Sequence, residues 1–257
     1  MPHLLMTGRA RAGWKRRTTG GDPTTGARPE PAGRGPRSRI VSFVRESAVI
    51  FVSAIVVSLL VKTFVAQAFF IPSASMRDTL REGDRVLVNK LAPGVVDVGR
   101  GDIVVFSDPG GWLPVAEQSR TNLMQEALVW IGLMPEQTEN HLIKRVIALP
   151  GDRVVSTGRG DPLTVNGAEI SESYVAAGAS PSSIAFDVVV PEDSLWVMGD
   201  NRQQSSDSTY HLLDNGGGSI PVDTVVGTAF ITVWPVDRVG ALHRPGGVFV
   251  GVPDPTG

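Results

Sequence analysis

Residues 143–156 read IKRVIALPGDRVVS, two runs rich in β-branched residues on either side of a Pro-Gly-Asp sequence. Proline and glycine side by side are typical of a tight turn, because proline presets its own φ and glycine tolerates positive φ. Short runs rich in valine and isoleucine favour strands. The segment therefore predicts a strand over 143–148, a turn at 150–152 and a second strand over 153–156.

The same pattern continues on both sides of this segment. Short β-branched runs alternate with clusters of Gly, Pro, Asn and Asp, and no unit repeats at a fixed period. Asn166-Gly167 lies between LTV and AEI, and this dipeptide favours the tight turn of a β-hairpin. The pattern predicts a mostly-β domain with long loops. Its further strands are predicted over 85–90, 102–106, 163–165, 188–190, 195–198 and 225–234.

Residues 122–134 (NLMQEALVWIGLM) differ from the rest, because apolar side chains recur at helical spacing and Glu126 is the one charged residue. A proline at 135 ends the predicted helix. Two interpretations stay open. The helix is buried against the β-domain, or it lies at the outer membrane interface with Trp112 and Trp130 at the depth of the lipid headgroups.

An apolar segment precedes the β-pattern. Residues 47–61 (SAVIFVSAIVVSLLV) are uncharged, and after Lys62 the apolar sequence continues to residue 71. A bilayer span needs about 20 residues, and a lysine near the end of a span can extend its amine to the interface. We predict one transmembrane helix within 40–68. The alternatives are a buried core helix and a cleavable signal peptide that ends at 66–68 (AQA).

The charge distribution orients the predicted helix. The chain has a formal net charge of −2, yet residues 1–39 contain nine Lys and Arg against Asp22 and Glu30. An excess of basic residues before a span favours a cytoplasmic N-terminus, so we expect residues 69–240 on the outer face. The basic segment is poor in apolar residues, which predicts a disordered cytoplasmic tail that contacts anionic lipid rather than nucleic acid. Residues 241–257 are predicted as a C-terminal tail.

Several classes of chemistry lack support in the sequence. There is no cysteine, which excludes thiolate nucleophiles, thiolate metal sites and disulfides. The four histidines, His3, His141, His211 and His243, form no HExxH pair and occupy no recognisable triad context. Neither zinc chemistry nor a Ser-His-Asp enzyme is therefore indicated, and we expect no metal and no cofactor.

Three polar segments could form a site. In 71–76 (IPSASM), Ser73 and Ser75 are two residues apart, so in an extended chain both hydroxyls point the same way. Lys144 opens an apolar strand, where burial would lower its pKa and make it a base. Residues 199–208 (GDNRQQSSDS) form a polar turn that could orient such a base. Each segment on its own also fits ordinary structure.

Taken in order after an apolar span, these segments resemble the motifs of bacterial type I signal peptidases. IPSASM is similar to the serine motif of that family, GDIVVF (101–106) to a structural motif, KRVIALPGD (144–152) to the lysine motif and GDNRQQSSDS to the final Gly-Asp motif. The resemblance covers most of residues 65–235. It implies a β-domain of the kind shared by signal peptidases and LexA, preceded by one transmembrane helix.

The resemblance also implies roles for individual residues. Ser75 matches the nucleophile and Lys144 the general base, and the Ser73 hydroxyl matches an oxyanion-hole donor beside the N–H of Ser75. Ser205 matches the serine that orients the lysine, and Asp207 a supporting carboxylate. The remaining matches are Arg145, Asp200 and Arg202 in the polar scaffold, and Phe69, Ile71, Pro72, Leu80 and Ile143 in the substrate pockets.

The activity implied is the removal of N-terminal signal peptides from exported preproteins, after small residues in Ala-x-Ala-like sites. It implies a single-pass protein of the cell membrane that functions near the secretion translocon. Gln203, Gln204 and Thr209 stand where the family commonly has Asp, Asn and Arg. The alternatives are a specialised Ser/Lys processing peptidase, a LexA-type self-cleaving enzyme, and a non-catalytic membrane-anchored β-domain that binds partners. Residues 66–68 also resemble a cleavage site for the enzyme itself.

Overall fold

The computed structural model describes residues 36–113, 140–176 and 178–255. The helix predicted at 122–134, which includes Trp130, lies outside these residues. So does most of the basic tail.

A long helix, α1, covers Pro36–Phe64. Within it, Ile40–Phe64 has a mean hydropathy of 2.2 and none of its most apolar window is buried, so its length and composition suit a membrane span and not a core helix. The helix ends four residues before the predicted limit at 68. The chain instead enters a strand at Ala66, in which Gln67 and Phe69 are buried while their neighbours are more exposed.

Two interpretations of the sequence place a cut in this first strand: a cleavable signal peptide that ends at 66–68, and cleavage at 66–68 by the protein itself. All five residues of Ala66–Phe70 pair with the strand that follows, and the Cα partner of Ala68 is Leu87. A cut after Ala68, by another enzyme or by the protein itself, would divide this strand. Cleavage at 66–68 therefore stays a prediction, by either route.

The described residues form twelve strands, and all their pairings are antiparallel. The strands are β1 (Ala66–Phe70), β2 (Arg85–Asn89), β3 (Ile103–Ser107), β4 (His141–Ala148), β5 (Arg153–Thr157), β6 (Thr164–Val165), β7 (Ala168–Glu169), β8 (Ala185–Val189), β9 (Ser194–Met198), β10 (Ile220–Pro221), β11 (Val225–Trp234) and β12 (Gly240–Ala241).

These strands build two sheets. The larger has the order β1-β2-β11-β3-β4-β9-β10, with β12 paired to β11, and the smaller has the order β7-β6-β5-β8. The mostly-β prediction is confirmed, and every strand predicted from the sequence is present. The hairpin prediction is confirmed as well: Asn166 and Gly167 have φ of 51° and 82° and join β6 to β7.

Two apolar clusters matter for the site. One joins both sheets, with Ile147 of β4, Phe186 of β8 and Trp196 of β9 among its members. The other lies where β1, β2, β3 and β4 meet, and it includes Phe69 and Ile143. The second cluster packs directly beneath the serine segment, because Met76 belongs to it.

The segment predicted as a C-terminal tail packs on the β-domain as far as the structure describes it. Val248 is 7% exposed and belongs to the cluster that joins the two sheets. Arg244 forms an ion pair with Asp102, and the carbonyl oxygen of Pro253 accepts a hydrogen bond from Asn166. This segment therefore covers part of the core.

A matched pair of valines tests this packing. We expect Val248→Ala to lower the free energy of unfolding by about 1–2 kcal/mol, because two buried methyl groups are lost. Val250 is 84% exposed, so Val250→Ala should stay within about 0.5 kcal/mol of the wild type. Urea denaturation of both variants measures the difference. Equal stabilities would mean that the segment does not contribute to the core.

Candidate active site

Ser75 lies in a one-turn 3-10 helix, Ala74–Met76, soon after β1. Burial of Met76 and Leu80 holds this turn against the apolar cluster beneath it. The sequence predicted Ser73 and Ser75 in one extended segment, and this is wrong for Ser75. Ser73 is extended, with φ −122° and ψ 155°, but Ser75 lies within the 3-10 helix. The two hydroxyl oxygens nevertheless lie 3.3 Å apart.

Lys144 reaches Ser75 from β4. Its backbone pairs with Val104 of β3, and its side chain is enclosed by the domain, so the residue is only 3% exposed. The Nζ atom lies 2.9 Å from Ser75 Oγ, and Ser75 is itself 5% exposed. The structure thus brings together two residues that are 69 positions apart in sequence.

The environment of Lys144 shifts its side chain towards the neutral amine. Burial lowers its pKa from 10.5 to about 8, and the negative charges of Asp207 and Asp200 oppose part of that effect. A neutral Nζ has a lone pair, so the Ser75 hydroxyl can then donate its proton to it. The arrangement can therefore act as a nucleophile and its base.

The polar turn at 199–208 closes over the serine segment. The N–H of Asn201 donates to the carbonyl oxygen of Ser75 at 3.0 Å, and its side-chain amide donates to that of Ala74 at 3.0 Å. Gly199 lies so close that a Cβ there would stand 2.5 Å from Ser75 O and 2.3 Å from Ser205 Oγ. The Ser205 hydroxyl is buried, and it has no hydrogen-bond partner among the described residues.

Asp207 is buried and held by neutral donors. One carboxylate oxygen accepts the N–H of Gly199 at 2.9 Å. The other accepts both the N–H and the hydroxyl of Thr209, at 3.1 and 2.8 Å. The threonine that replaces the common arginine therefore satisfies this carboxylate without neutralising its charge.

Arg145 and Asp200 form a buried ion pair next to Lys144. Two nitrogens of Arg145 donate to the two oxygens of Asp200 at 2.8 and 2.6 Å, and a third donates to the carbonyl oxygen of Gly101 at 2.8 Å. Thr79 also donates to Asp200. The structure thus places the two predicted scaffold residues in direct contact.

Arg202, the third scaffold residue, pairs with a residue that the sequence argument did not find. Its guanidinium forms a two-pronged ion pair with Glu172, and both side chains are 3% exposed. Burial lowers the pKa of Arg202, but the charge and hydrogen bonds of Glu172 together with the nearby Tyr174 and Asp207 raise it by more, so the net shift is upward. Gln203 and Gln204 are exposed, so the exchange of charged residues at these positions leaves the buried pairs intact.

Four of the five predicted pocket residues share one apolar cluster. They are Phe69, Ile71, Leu80 and Ile143, and all are buried. The fifth, Pro72, is exposed and lies outside the cluster. The structure thus gathers four of these side chains beside the serine segment.

His211 corrects one statement made from the sequence. Its Nε2 lies 3.0 Å from Ser206 Oγ and its Nδ1 2.6 Å from Asp214, a Ser-His-Asp chain of hydrogen bonds that the sequence pattern did not indicate. The ring stacks on Trp112 at 4.3 Å between centroids.

Trp112 is 8% exposed, which is incompatible with a position among lipid headgroups. His211 thus ties the end of the polar turn to the chain after β3.

Comparisons with known proteins show the family to which this chain belongs. A family model described as signal peptidase, peptidase S26, matches residues 44–234. A signal peptidase I of Mycobacterium tuberculosis is 38% identical over 232 residues, which cover 81% of this chain and 78% of that protein. A probable signal peptidase I of Mycobacterium leprae is 35% identical over 238 residues, which cover 80% and 81% of the two chains.

One solved structure completes the comparisons. A crystal structure of a signal peptidase I from Enterococcus faecalis is 26% identical, with a TM-score of 0.33, and the match covers 51% of this chain and 95% of that one. The sequence matches decide the family. This chain belongs to the signal peptidase I family, and it is a peptidase and therefore a hydrolase.

The close contacts of Gly199 generate a prediction. Gly199→Ala should fold, yet lower the rate of preprotein cleavage by about 10²-fold, because the added methyl group displaces the backbone of Ser75 and the side chain of Ser205. Gly246 is the matched control, since a Cβ there meets nothing within 4 Å. Cleavage assays on both purified variants would contradict the contact argument if Gly199→Ala were as active as Gly246→Ala.

Proposed function

We propose that this chain is a membrane-bound serine endopeptidase that removes N-terminal signal peptides from exported preproteins. In this proposal Ser75 is the nucleophile and Lys144 the general base. One observation carries it: a buried amine with a pKa of about 8 lies 2.9 Å from a buried serine hydroxyl. Membership of the signal peptidase I family supports the choice of substrate.

The reaction follows from this pair. Neutral Lys144 takes the Ser75 proton as Oγ attacks the scissile carbonyl carbon. The protonated amine then delivers that proton to the leaving amino group, and an acyl-enzyme remains. In the second half, Lys144 takes a proton from water as the water oxygen attacks the ester carbonyl carbon. The bond from that carbon to Ser75 Oγ then breaks, and the Lys144 ammonium returns its proton to Oγ, which restores the hydroxyl and releases the carboxylic acid product.

Two groups are proposed to stabilise the oxyanion. They are the backbone N–H of Ser75 and the hydroxyl of Ser73, whose oxygen lies 3.3 Å from Ser75 Oγ. A single such donor is worth about 3 kcal/mol in the transition state. The family resemblance assigns Ser205 a further role, which is to orient Lys144 Nζ; its buried hydroxyl has no partner among the described residues and is therefore free to form that bond when Nζ moves towards it. Asp207 would tune the charge of the same amine.

Specificity for small residues would come from the apolar cluster beside the serine. Phe69, Ile71, Leu80 and Ile143 are buried beneath the serine segment, so the pockets above them would be shallow and would suit Ala, Gly or Ser at P1 and P3. Pro72 would border them. The substrate would bind as an added strand, since β1 is an edge strand of the larger sheet and supplies Phe69 to the cluster.

The helix α1 would anchor this site to the membrane. Its apolar segment Ile40–Phe64 is long enough to cross a bilayer, and the basic residues before it favour a cytoplasmic N-terminus. The β-domain would then lie on the outer face, where translocated preproteins emerge near the translocon. In this arrangement the basic segment would contact anionic lipid of the inner leaflet.

Replacement of either dyad residue tests the proposal. Ser75→Ala and Lys144→Met should each abolish preprotein cleavage, because the first removes the nucleophile and the second its base. Lys144→Met should be at least as stable as the wild type at pH 7, since the buried ammonium is disfavoured. Thermal unfolding by circular dichroism shows that both variants fold. Near-normal cleavage by folded Lys144→Met would disprove the dyad.

The pKa of Lys144 predicts the pH dependence. Cleavage should rise with pH and reach half its maximum near pH 8, because Lys144 becomes a base only when it loses its proton. Asp207→Asn removes a charge that raises this pKa, so the acid limb should move to lower pH. Asp187→Asn, an exposed carboxylate of the smaller sheet, is the control. An acid limb that Asp207→Asn leaves in place, or moves to higher pH, contradicts the electrostatic argument.

A further inference from the structure

The chain after β7 carries two polar residues that contact the site scaffold. The N–H of Ile170 donates to the carbonyl oxygen of Leu163, and Ile170 is buried, so this chain is fixed to the smaller sheet. Glu172 and Tyr174 follow. The phenol of Tyr174 donates to Glu172 at 2.6 Å, and burial, followed by the charge of Glu172, raises the pKa of that phenol. The phenol therefore stays protonated and keeps this bond.

Glu172 holds Arg202, which in turn holds the backbone of the polar turn. Arg202 donates through Nε to the carbonyl oxygen of Gly199 at 3.0 Å, and through Nη1 to that of Pro181. Without Glu172 this guanidinium would be a buried charge that has lost the carboxylate in direct contact with it, a state that costs several kcal/mol and drives rearrangement. The position of Gly199 therefore depends on Glu172.

Tyr174 holds the other arginine. Its ring lies 4.2 Å from the guanidinium carbon of Arg145, within the range of a cation–π contact. Arg145 is the next residue after Lys144, and its guanidinium is bound to Asp200. The ring therefore forms one wall of the space that keeps Arg145 on Asp200.

We infer that Glu172 and Tyr174 act together as positioning residues for the Ser75–Lys144 pair. Glu172 fixes Gly199 through Arg202, and Gly199 lies against Ser75 O and Ser205 Oγ. Tyr174 fixes Arg145, the backbone neighbour of Lys144. The smaller sheet thereby sets the geometry of a site built on the larger one. This inference rests on the proposed function of the pair.

Three variants of the full-length protein in detergent test the inference. Glu172→Gln keeps the shape of the side chain and removes its charge. Tyr174→Leu removes the ring beneath Arg145, and Tyr174→Phe keeps the ring but removes the bond to Glu172. The controls are Asp187→Asn, which breaks an exposed ion pair of the same sheet, and Phe186→Leu, which loosens the core between the sheets.

The measurement is kcat and KM for a soluble signal-sequence peptide, expressed per folded molecule, at a temperature well below the unfolding midpoint of each variant. Glu172→Gln and Tyr174→Leu should lower kcat by about tenfold or more with little change in KM, since a misplaced nucleophile or base slows the chemical step without weakening binding. Tyr174→Phe should stay within about threefold of the wild type. Both control variants should keep the wild-type kcat.

The pH profile separates positioning from a purely structural role. When Arg145 loses the ring, it no longer stays on Asp200, and the charge of Asp200 then acts more strongly on Lys144. The pKa of Lys144 should rise, so the acid limb of Tyr174→Leu should move to higher pH. Phe186→Leu should lower the unfolding temperature and leave the limb unchanged.

Two results would overturn the inference. One is a wild-type kcat in both Glu172→Gln and Tyr174→Leu, together with an unshifted acid limb in Tyr174→Leu. The other is a loss of stability alone, as expected for Phe186→Leu. If Glu172→Gln does not fold, the comparison of Tyr174→Leu with Tyr174→Phe decides by itself. Ser75→Ala is included in the same assay: activity in that variant means that the proposed nucleophile is wrong, whereas inactive Ser75→Ala with wild-type positioning variants rejects this inference alone.

Discussion

The site depends on the burial of one amine. A lysine in water stays protonated far above neutral pH, and an ammonium cannot accept the proton of a serine. Removal of water from Lys144 brings its pKa to about 8, so that a substantial fraction of the amine is neutral at mildly alkaline pH and can accept a proton. Such burial costs stability, because the charged form of the side chain is held where it is disfavoured. The surrounding elements have to keep this side chain both dry and close to Ser75.

The two arginines near the Lys144 amine are each paired with a carboxylate, which limits their effect on its pKa. Arg145 is paired with Asp200 and Arg202 with Glu172, so neither guanidinium acts on Lys144 as a bare charge. Asp207 differs, because its partners are the N–H of Gly199 and the groups of Thr209, which are dipoles. Its full negative charge therefore remains and raises the pKa of Lys144. An arginine at position 209 would offset that charge. Thr209 does not, so the pKa of Lys144 is higher than it would be beside an arginine.

The sequence predicted the parts of this structure that depend on local patterns. Local patterns predicted the strands around 143–156 and the Asn166-Gly167 turn. The association of Ser75 with Lys144 was predicted from motifs that follow one another in a fixed order. Other features depend on distant contacts. Glu172 lies in a stretch that reads ISESY (170–174) and looks like a surface loop, and only the fold shows that it meets Arg202, 30 residues later.

The first strand shows a different limit of sequence reading. Ala66–Phe70 continues the apolar composition of the helix before it, so hydropathy assigned it to the anchor, and only the pairing with β2 distinguishes it. Its position has a mechanical consequence. The helix ends at Phe64, and Ser75 follows eleven residues later. Even a fully extended chain of that length reaches only about 36–40 Å, and the 3-10 turn shortens it further. If α1 crosses the bilayer, Ser75 therefore lies within about 40 Å of the end of the span, whatever path the intervening chain takes.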